Sequence, residues 1–241
     1  MESMGILDLP APLFAAVDHV MAMGLPAVLR LVIWAAIGGA VTLGLYRLLS
    51  PQEKIGRAKR EARSARQRLN AFDGELADAG PLIRAQFVAA FRHLGLVLPS
   101  TLVSILPLLA LLVWLDTSYG HDYPAAGDTP VVMASPGHLD AEWVADDQQP
   151  RVKVREHDIE VVEIALSAPV PVIEKRHWWN WLIANPLGYL PGDSGIERVE
   201  ISLPERSYLP IGPSWMRSWI AVFFPVMLIV SLVIYRWARI E

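Results

Sequence analysis

Leu94–Leu115 reads LGLVLPSTLVSILPLLALLVWL, 22 residues without one charged side chain. A helix rises about 1.5 Å per residue, so a run of roughly 20 crosses the ~30 Å hydrocarbon core of a bilayer. Two further stretches read the same way. Leu25–Tyr46 is a 22-residue run interrupted by Arg30 alone, and Ser218–Tyr235 is an 18-residue run between Arg217 and Arg236. Together they explain why a chain of 241 residues is 53% hydrophobic and only 19% charged, with a mean hydropathy of +0.34. That composition excludes a soluble enzyme, a secreted disulfide scaffold and a disordered tail protein. The remaining polar segments are also too short for a large catalytic domain.

Charge sets the expected orientation. Residues 47–93 carry ten Lys or Arg against five acids, whereas residues 1–24 hold three acids (Glu2, Asp8, Asp18) and neither Lys nor Arg. Basic flanks stay on the cytoplasmic side during insertion. The first loop is therefore expected in the cytoplasm, the N-terminus outside, and the C-terminal tail with Arg236 and Arg239 inside, in the cell inner (plasma) membrane. Residues 116–217, with sixteen acids against eight bases, then lie outside. No cleavable signal peptide is expected, because the first apolar run begins late and is long. The chain has no cysteine, so no disulfide supports the outer segment.

The expected fold class is a membrane α-helical protein. It has an outer amphipathic helix (1–24), a first span (25–49), a cytoplasmic antiparallel helical hairpin (50–93) and a second span (94–115). A small extracytoplasmic β-rich domain (116–217), a third span (218–235) and a cytoplasmic tail (236–241) complete it. In the first segment Leu13, Phe14, Val17, Val20 and Met21 recur at helical spacing with Asp18 and His19 opposite. This reads as a helix lying on the membrane face or as a tail packed on span three. Ser50-Pro51 with Glu53 marks a helix start. Ile55, Ala58, Ala62, Ala65, Leu69, Phe72, Leu76 and Ala79 follow with heptad spacing. The seam is small and needs a partner, either the stripe of Leu82, Ala85, Ala89 and Leu96 or a second copy of the chain. Asp73-Gly74 and Gly80-Pro81 separate the two arms. In the outer segment, residues 120–149 read as a loop. Val152–Arg155, Ile159–Ile164 and Val199–Leu203 alternate as strands around the aromatic excursion His177-Trp-Trp-Asn-Trp.

In this order of segments the chain resembles the YidC/Oxa/Alb family of membrane-protein insertases, in its small three-span branch. The local text that carries the likeness is LPAVL at 25–29, SPQEK at 50–54 and LPSTLVSILP at 98–107 running into Trp114; the likeness covers residues 10–116 and 214–241. The hairpin departs from that branch in having no methionine over residues 51–97, and the outer domain is longer. The resemblance implies no covalent chemistry and no cofactor. It implies a hydrophilic intramembrane groove that lowers the cost of moving a client's polar flank across the bilayer. The implied partners are the lipid bilayer, membrane-protein clients or nascent chains, and a ribosome or other membrane subunits, but not DNA. The competing expectation is a non-catalytic accessory or assembly subunit of a larger membrane complex.

Candidate groove residues are Arg30, Thr42, Ser100, Thr101, Ser104 and Ser231. Arg30 either lines the groove or snorkels to the interface, and the hydroxyls otherwise pack helices or relieve Pro99, Pro107 and Pro225. Lys54, Arg57, Lys59, Arg60, Arg63, Arg66 and Arg68 form a basic face that receives clients, RNA or acidic lipids, or is simply solvated. Trp178, Trp179 and Trp181 contact a partner, the membrane or their own core. His121-Asp122, His138 with Asp140, and His157-Asp158 match no metal-ligand spacing, so no metal is expected. No nucleophile elbow, P-loop or zinc-protease motif is present.

Overall fold

The computed structural model describes residues 5–74, 79–146, 149–157 and 159–238. Glu2, Leu76, Asp158 and Arg239, used in the sequence reading, lie outside these. The helices are α1 (Ala11–Ala22), α2 (Ala27–Leu49), α3 (Gln52–Asn70), α4 (Gly80–Tyr119), α5 (Ser214–Arg217) and α6 (Trp219–Trp237). The strands are β1 (Val132–Ser135), β2 (Asp140–Val144), β3 (Arg151–Glu156), β4 (Ile159–Ala165), β5 (Val172–Glu174) and β6 (Arg198–Ile201), and short 3-10 turns cover Ile6–Asp8 and Trp178–Trp181. Among the described residues, α2, α4 and α6 are the three helices long and apolar enough to cross a membrane. The chain divides into two compact units, Met1–Ile33 with Leu109–Pro225 and Trp34–Leu108 with Val226–Glu241.

In the first unit, the β strands form two three-stranded antiparallel sheets, ordered β1-β6-β5 and β2-β3-β4. Alternation explains them. Val152 and Val154 of β3, Ile173 of β5, and Val199 and Ile201 of β6 point into one aliphatic core with Leu139, Leu166, Leu190, Ile196 and Leu203. The opposite face of β3 is polar and paired across strands. Lys153 reaches Glu160 at 3.1 Å, Arg151 reaches Glu163 at 3.2 Å and Arg155 reaches Glu142 at 3.2 Å. Exposed pairs of this kind contribute about 0.2–1 kcal/mol each, so they favour the register while the core supplies the stability. Residues 120–149 are not a loop throughout as the sequence reading expected, because β1 and β2 both fall within them. The β region is tied off by a backbone neck, in which Asp122 N donates to Pro204 O at 3.0 Å and Arg206 N to Gly120 O at 3.0 Å.

In the second unit, the expected seam on α3 turns inward. Ile55, Ala58 and Ala65 are buried and Ala62, Leu69 and Phe72 partly so, whereas the residues between them are mostly exposed. Ser100 Oγ of α4 donates to Leu49 O at 3.3 Å and Arg92 of α4 pairs with Glu61 of α3 at 3.2 Å. The first contact joins α4 to the end of α2 and the second joins it to α3. The inward stripe of α4 is Leu82, Gln86, Ala89, His93 and Leu96; Ala85, expected there, is exposed. At 40 residues, or about 60 Å, α4 runs through Pro99 and Pro107 as one helix. On α2 and α6, Gly39 permits a close approach. A Cβ there would sit 2.9 Å from Ser231 Oγ and 3.3 Å from Met227 O.

Candidate functional site

Two features stand out, one in each unit. The first is an ionic clasp. α1 presents Ala11, Phe14, Asp18, Met21 and, just beyond it, Leu25 inward, while Leu13, Val17, Val20 and Met23 are exposed. This reverses the expected placement of Asp18. The reason is the lone arginine of the α2 run: Arg30 donates to Asp18 Oδ2, and the Tyr119 hydroxyl donates to Asp18 Oδ1. The two ionic side chains are only 14% and 13% exposed.

Aromatic rings complete the clasp. The Arg30 guanidinium lies 5.5 Å from the Tyr119 ring centre, and that of Arg206 lies 5.9 Å from the same ring and 5.7 Å from Tyr208. Tyr208 donates its hydroxyl to Tyr119 O at 2.9 Å, and burial pushes this phenol above its usual range. Phe14 and Trp114 meet with ring centres 5.7 Å apart. Arg30 is therefore paired within the clasp, although its buried Nε has no hydrogen-bond partner among the described residues.

The aromatic excursion is fixed beside the helices. Leu7 N donates to Leu182 O at 3.0 Å, and the Asp8 carboxylate accepts from Gly5 N at 3.0 Å and Ala184 N at 2.7 Å. Trp178, Trp179 and Trp181 are 79%, 47% and 53% exposed, so they are not core residues. Their loop shares a cavity of about 520 Å³ with Leu112 and Val113 of α4 and Trp219 and Phe224 of α6. The aromatic loop thus sits against the end of α4, where Asp116 also lines the cavity, and the start of α6.

The second feature is an apolar ridge on the first half of α4. Ile83, Phe87, Val88, Phe91, Leu94 and Leu98 are all exposed, with Phe87 at 59% and Phe91 at 66%. The two rings stack at 6.4 Å. Six of the seven basic residues named on α3 (Lys54, Arg57, Arg60, Arg63, Arg66 and Arg68) are exposed, and Lys59 is intermediate.

The remaining candidates do not converge. Thr42 donates to Gly38 O at 2.8 Å, Thr101 to Val97 O at 3.0 Å and Ser104 to Ser100 O at 2.6 Å. None of these acceptors is the carbonyl of Gly95 or Val103, which Pro99 and Pro107 deprive of a donor. The hydroxyls therefore close their own helices or, for Ser100, join two. Among the described residues no group of three His, Cys, Asp or Glu side chains gathers to hold a metal.

Sequence reasoning missed Asp18 and Tyr119 as partners of Arg30, Tyr208 as the partner of Tyr119, and Phe87 with Phe91. A signal existed for two of these: a lone acid in α1 close in sequence to the one arginine of the Leu25–Tyr46 run, and phenylalanines at i and i+4.

The class defined by this fold is a helical protein with three helices long and apolar enough to cross a membrane, carrying a small antiparallel β region. No protein-family model, curated protein or solved structure matches the chain.

Proposed function

We propose that the chain is a YidC/Oxa-like membrane-protein insertase or chaperone. The observation that carries this reading is the α4 ridge. Burying a large apolar side chain contributes about 1.5–3 kcal/mol, and a contiguous exposed apolar patch marks an interaction surface. The ridge begins at Ile83, before the uncharged run, and continues on the same helix through exposed Leu102, Val103 and Leu106. That is about 35 Å of apolar surface leading from a basic helical pair into a membrane-length stretch.

With α3 and the first half of α4 taken as the cytoplasmic hairpin, a client's apolar segment rests along Phe87 and Phe91 and passes to lipid without full exposure to water. Phenylalanine here serves in place of methionine. The exposed bases of α3 hold the hairpin near anionic headgroups, each contributing about 1 kcal/mol close to the surface. Arg30 is an architectural residue, because Asp18 already neutralises it.

The test is insertion of a client with a short translocated tail into liposomes carrying the full chain. Insertion above empty liposomes, reduced by the double substitution Phe87→Ser and Phe91→Ser at unchanged thermal stability, is expected. Insertion equal to empty liposomes sinks the reading.

An assembly-subunit function is favoured by a different observation, the exposed Trp178 and Trp181. It predicts a stoichiometric partner that co-purifies with the chain and is lost on Trp178→Ser with Trp181→Ser.

A further inference from the structure

Just before α6 the chain forms a small open pocket of about 180 Å³, lined by Glu205, Arg206, Ser207, Ser214 and Arg217. Its walls are fixed by the backbone. Arg206 N donates to Gly120 O at 3.0 Å, and Tyr208 N donates to Arg217 O at 2.8 Å, so the 205–208 stretch lies against α5. Arg206 is already engaged, stacked on Tyr119 and Tyr208, with its Nε 3.6 Å from Asp122. Ser207 donates to Leu209 O at 3.3 Å. Glu205, Ser214 and Arg217 remain exposed, and Arg217 forms no ion pair among the described residues. The pocket thus offers a guanidinium and a hydroxyl beside a carboxylate.

The surroundings of these polar groups decide the ligand. Ile211 is 78% exposed, and Trp215 and Met216 of the same segment are exposed too. α6 begins at Trp219, two residues after Arg217. Charges of opposite sign, unpaired among the described residues, next to bare apolar side chains at the end of a membrane-length helix complement an amphiphile. The pocket has room for one small headgroup; acyl chains would meet Ile211, Trp215 and Met216 outside it. A simple phosphate is disfavoured by the Glu205 carboxylate. A headgroup carrying both a phosphodiester and a primary ammonium satisfies every free group, phosphate to Arg217 and Ser214 and ammonium to Glu205.

We propose that this pocket binds the headgroup of a zwitterionic phospholipid with a primary ammonium, which rests on the reading of α6 as membrane-crossing. The test is native mass spectrometry of the detergent-purified full chain with phosphatidylethanolamine, phosphatidylcholine and phosphatidylglycerol of identical acyl chains. Inorganic phosphate serves as competitor. One charge-assisted hydrogen bond corresponds to about tenfold in affinity. The ethanolamine lipid is therefore expected to be retained about tenfold better than the other two, and E205Q to bring it down to the choline lipid. R217Q is expected to weaken all three. Both residues are exposed, so an unchanged elution profile serves as the folding control.

Equal retention of the three lipids, or an ethanolamine preference that survives both substitutions, overturns the proposal. Displacement of the lipid by inorganic phosphate overturns it as well. Alkaline extraction of native membranes separates the two levels: release of the chain defeats the membrane reading of α6, whereas a chain that stays bound but shows no lipid preference defeats the headgroup site alone.

Discussion

Asp18→Asn tests the clasp most directly, because it removes one charge while keeping the side chain's size and an oxygen for the Tyr119 hydroxyl. Arg30 and Asp18 are 14% and 13% exposed, so the guanidinium left behind finds little water. Its Nε lacks a partner even in the intact protein. Removing one member of a buried pair costs about 3–5 kcal/mol. For a chain of this length 1 kcal/mol moves the unfolding midpoint by about 2–4 °C, so a fall of roughly 6–20 °C is expected. Thermal unfolding of the detergent-solubilised chain, followed by tryptophan fluorescence, reads it.

The double variant Asp18→Asn with Arg30→Met is expected to recover much of the loss, since replacing both charges by neutral groups is often close to neutral. An Asp18→Asn midpoint within about 0.5 kcal/mol of wild type would refute the coupling, as would single effects that add within about 0.5 kcal/mol.

Gly39→Ala is expected to cost about 1–3 kcal/mol by overpacking, with Ser231→Ala recovering only part, because the Met227 carbonyl still stands 3.3 Å from the new Cβ. Melting of the two single variants and the double variant checks this. Burial raises Tyr208 and Tyr123 above the ordinary phenol value, and both donate to backbone carbonyls. The fold favours their neutral forms, so this stability is complete below about pH 10, the unfolded value, and is lost as pH rises through the folded values. A midpoint flat from about pH 7 to 9 and falling above about 10, with a shallower fall in Tyr208→Phe, is expected in a pH series of melts.

The three apolar helices were legible because length and absence of charge are local properties of sequence. The α3 seam was legible for a similar reason, since the 3,4 spacing of Ile55, Ala58, Ala62 and Ala65 survives wherever the partner lies. Among the strands, β3, β4 and β6 announce themselves by alternation. β1 and β2 do not, because VMAS and DAEWV carry Ser, Asp and Glu within a Gly- and Pro-rich stretch. Strand formation there depends on pairing with β6 and β3, which is tertiary context rather than propensity. β5 has only three residues, too few for any period to register.

The site was harder to read, and α1 shows the physical reason. An amphipathic pattern tells which side of a helix differs, not which side faces inward. In water the polar side faces out, and the sequence accordingly reads Leu13, Phe14, Val17, Val20 and Met21 as one face, laid on the membrane or on span three, with Asp18 opposite. Beside a lipid phase the preference inverts: apolar Leu13, Val17 and Val20 can face hydrocarbon at little cost, whereas a carboxylate there costs several kcal/mol. Asp18 turns toward the one cation in the neighbouring apolar run, Arg30, and each charge offsets part of the other's desolvation cost. The two unfavourable residues make each other tolerable. The inward face of α1 is therefore defined by Asp18, with Phe14 following onto Trp114. Tyr119 joins through the fold 101 residues from Asp18, and Tyr208 a further 89 residues on, separations that no local pattern spans.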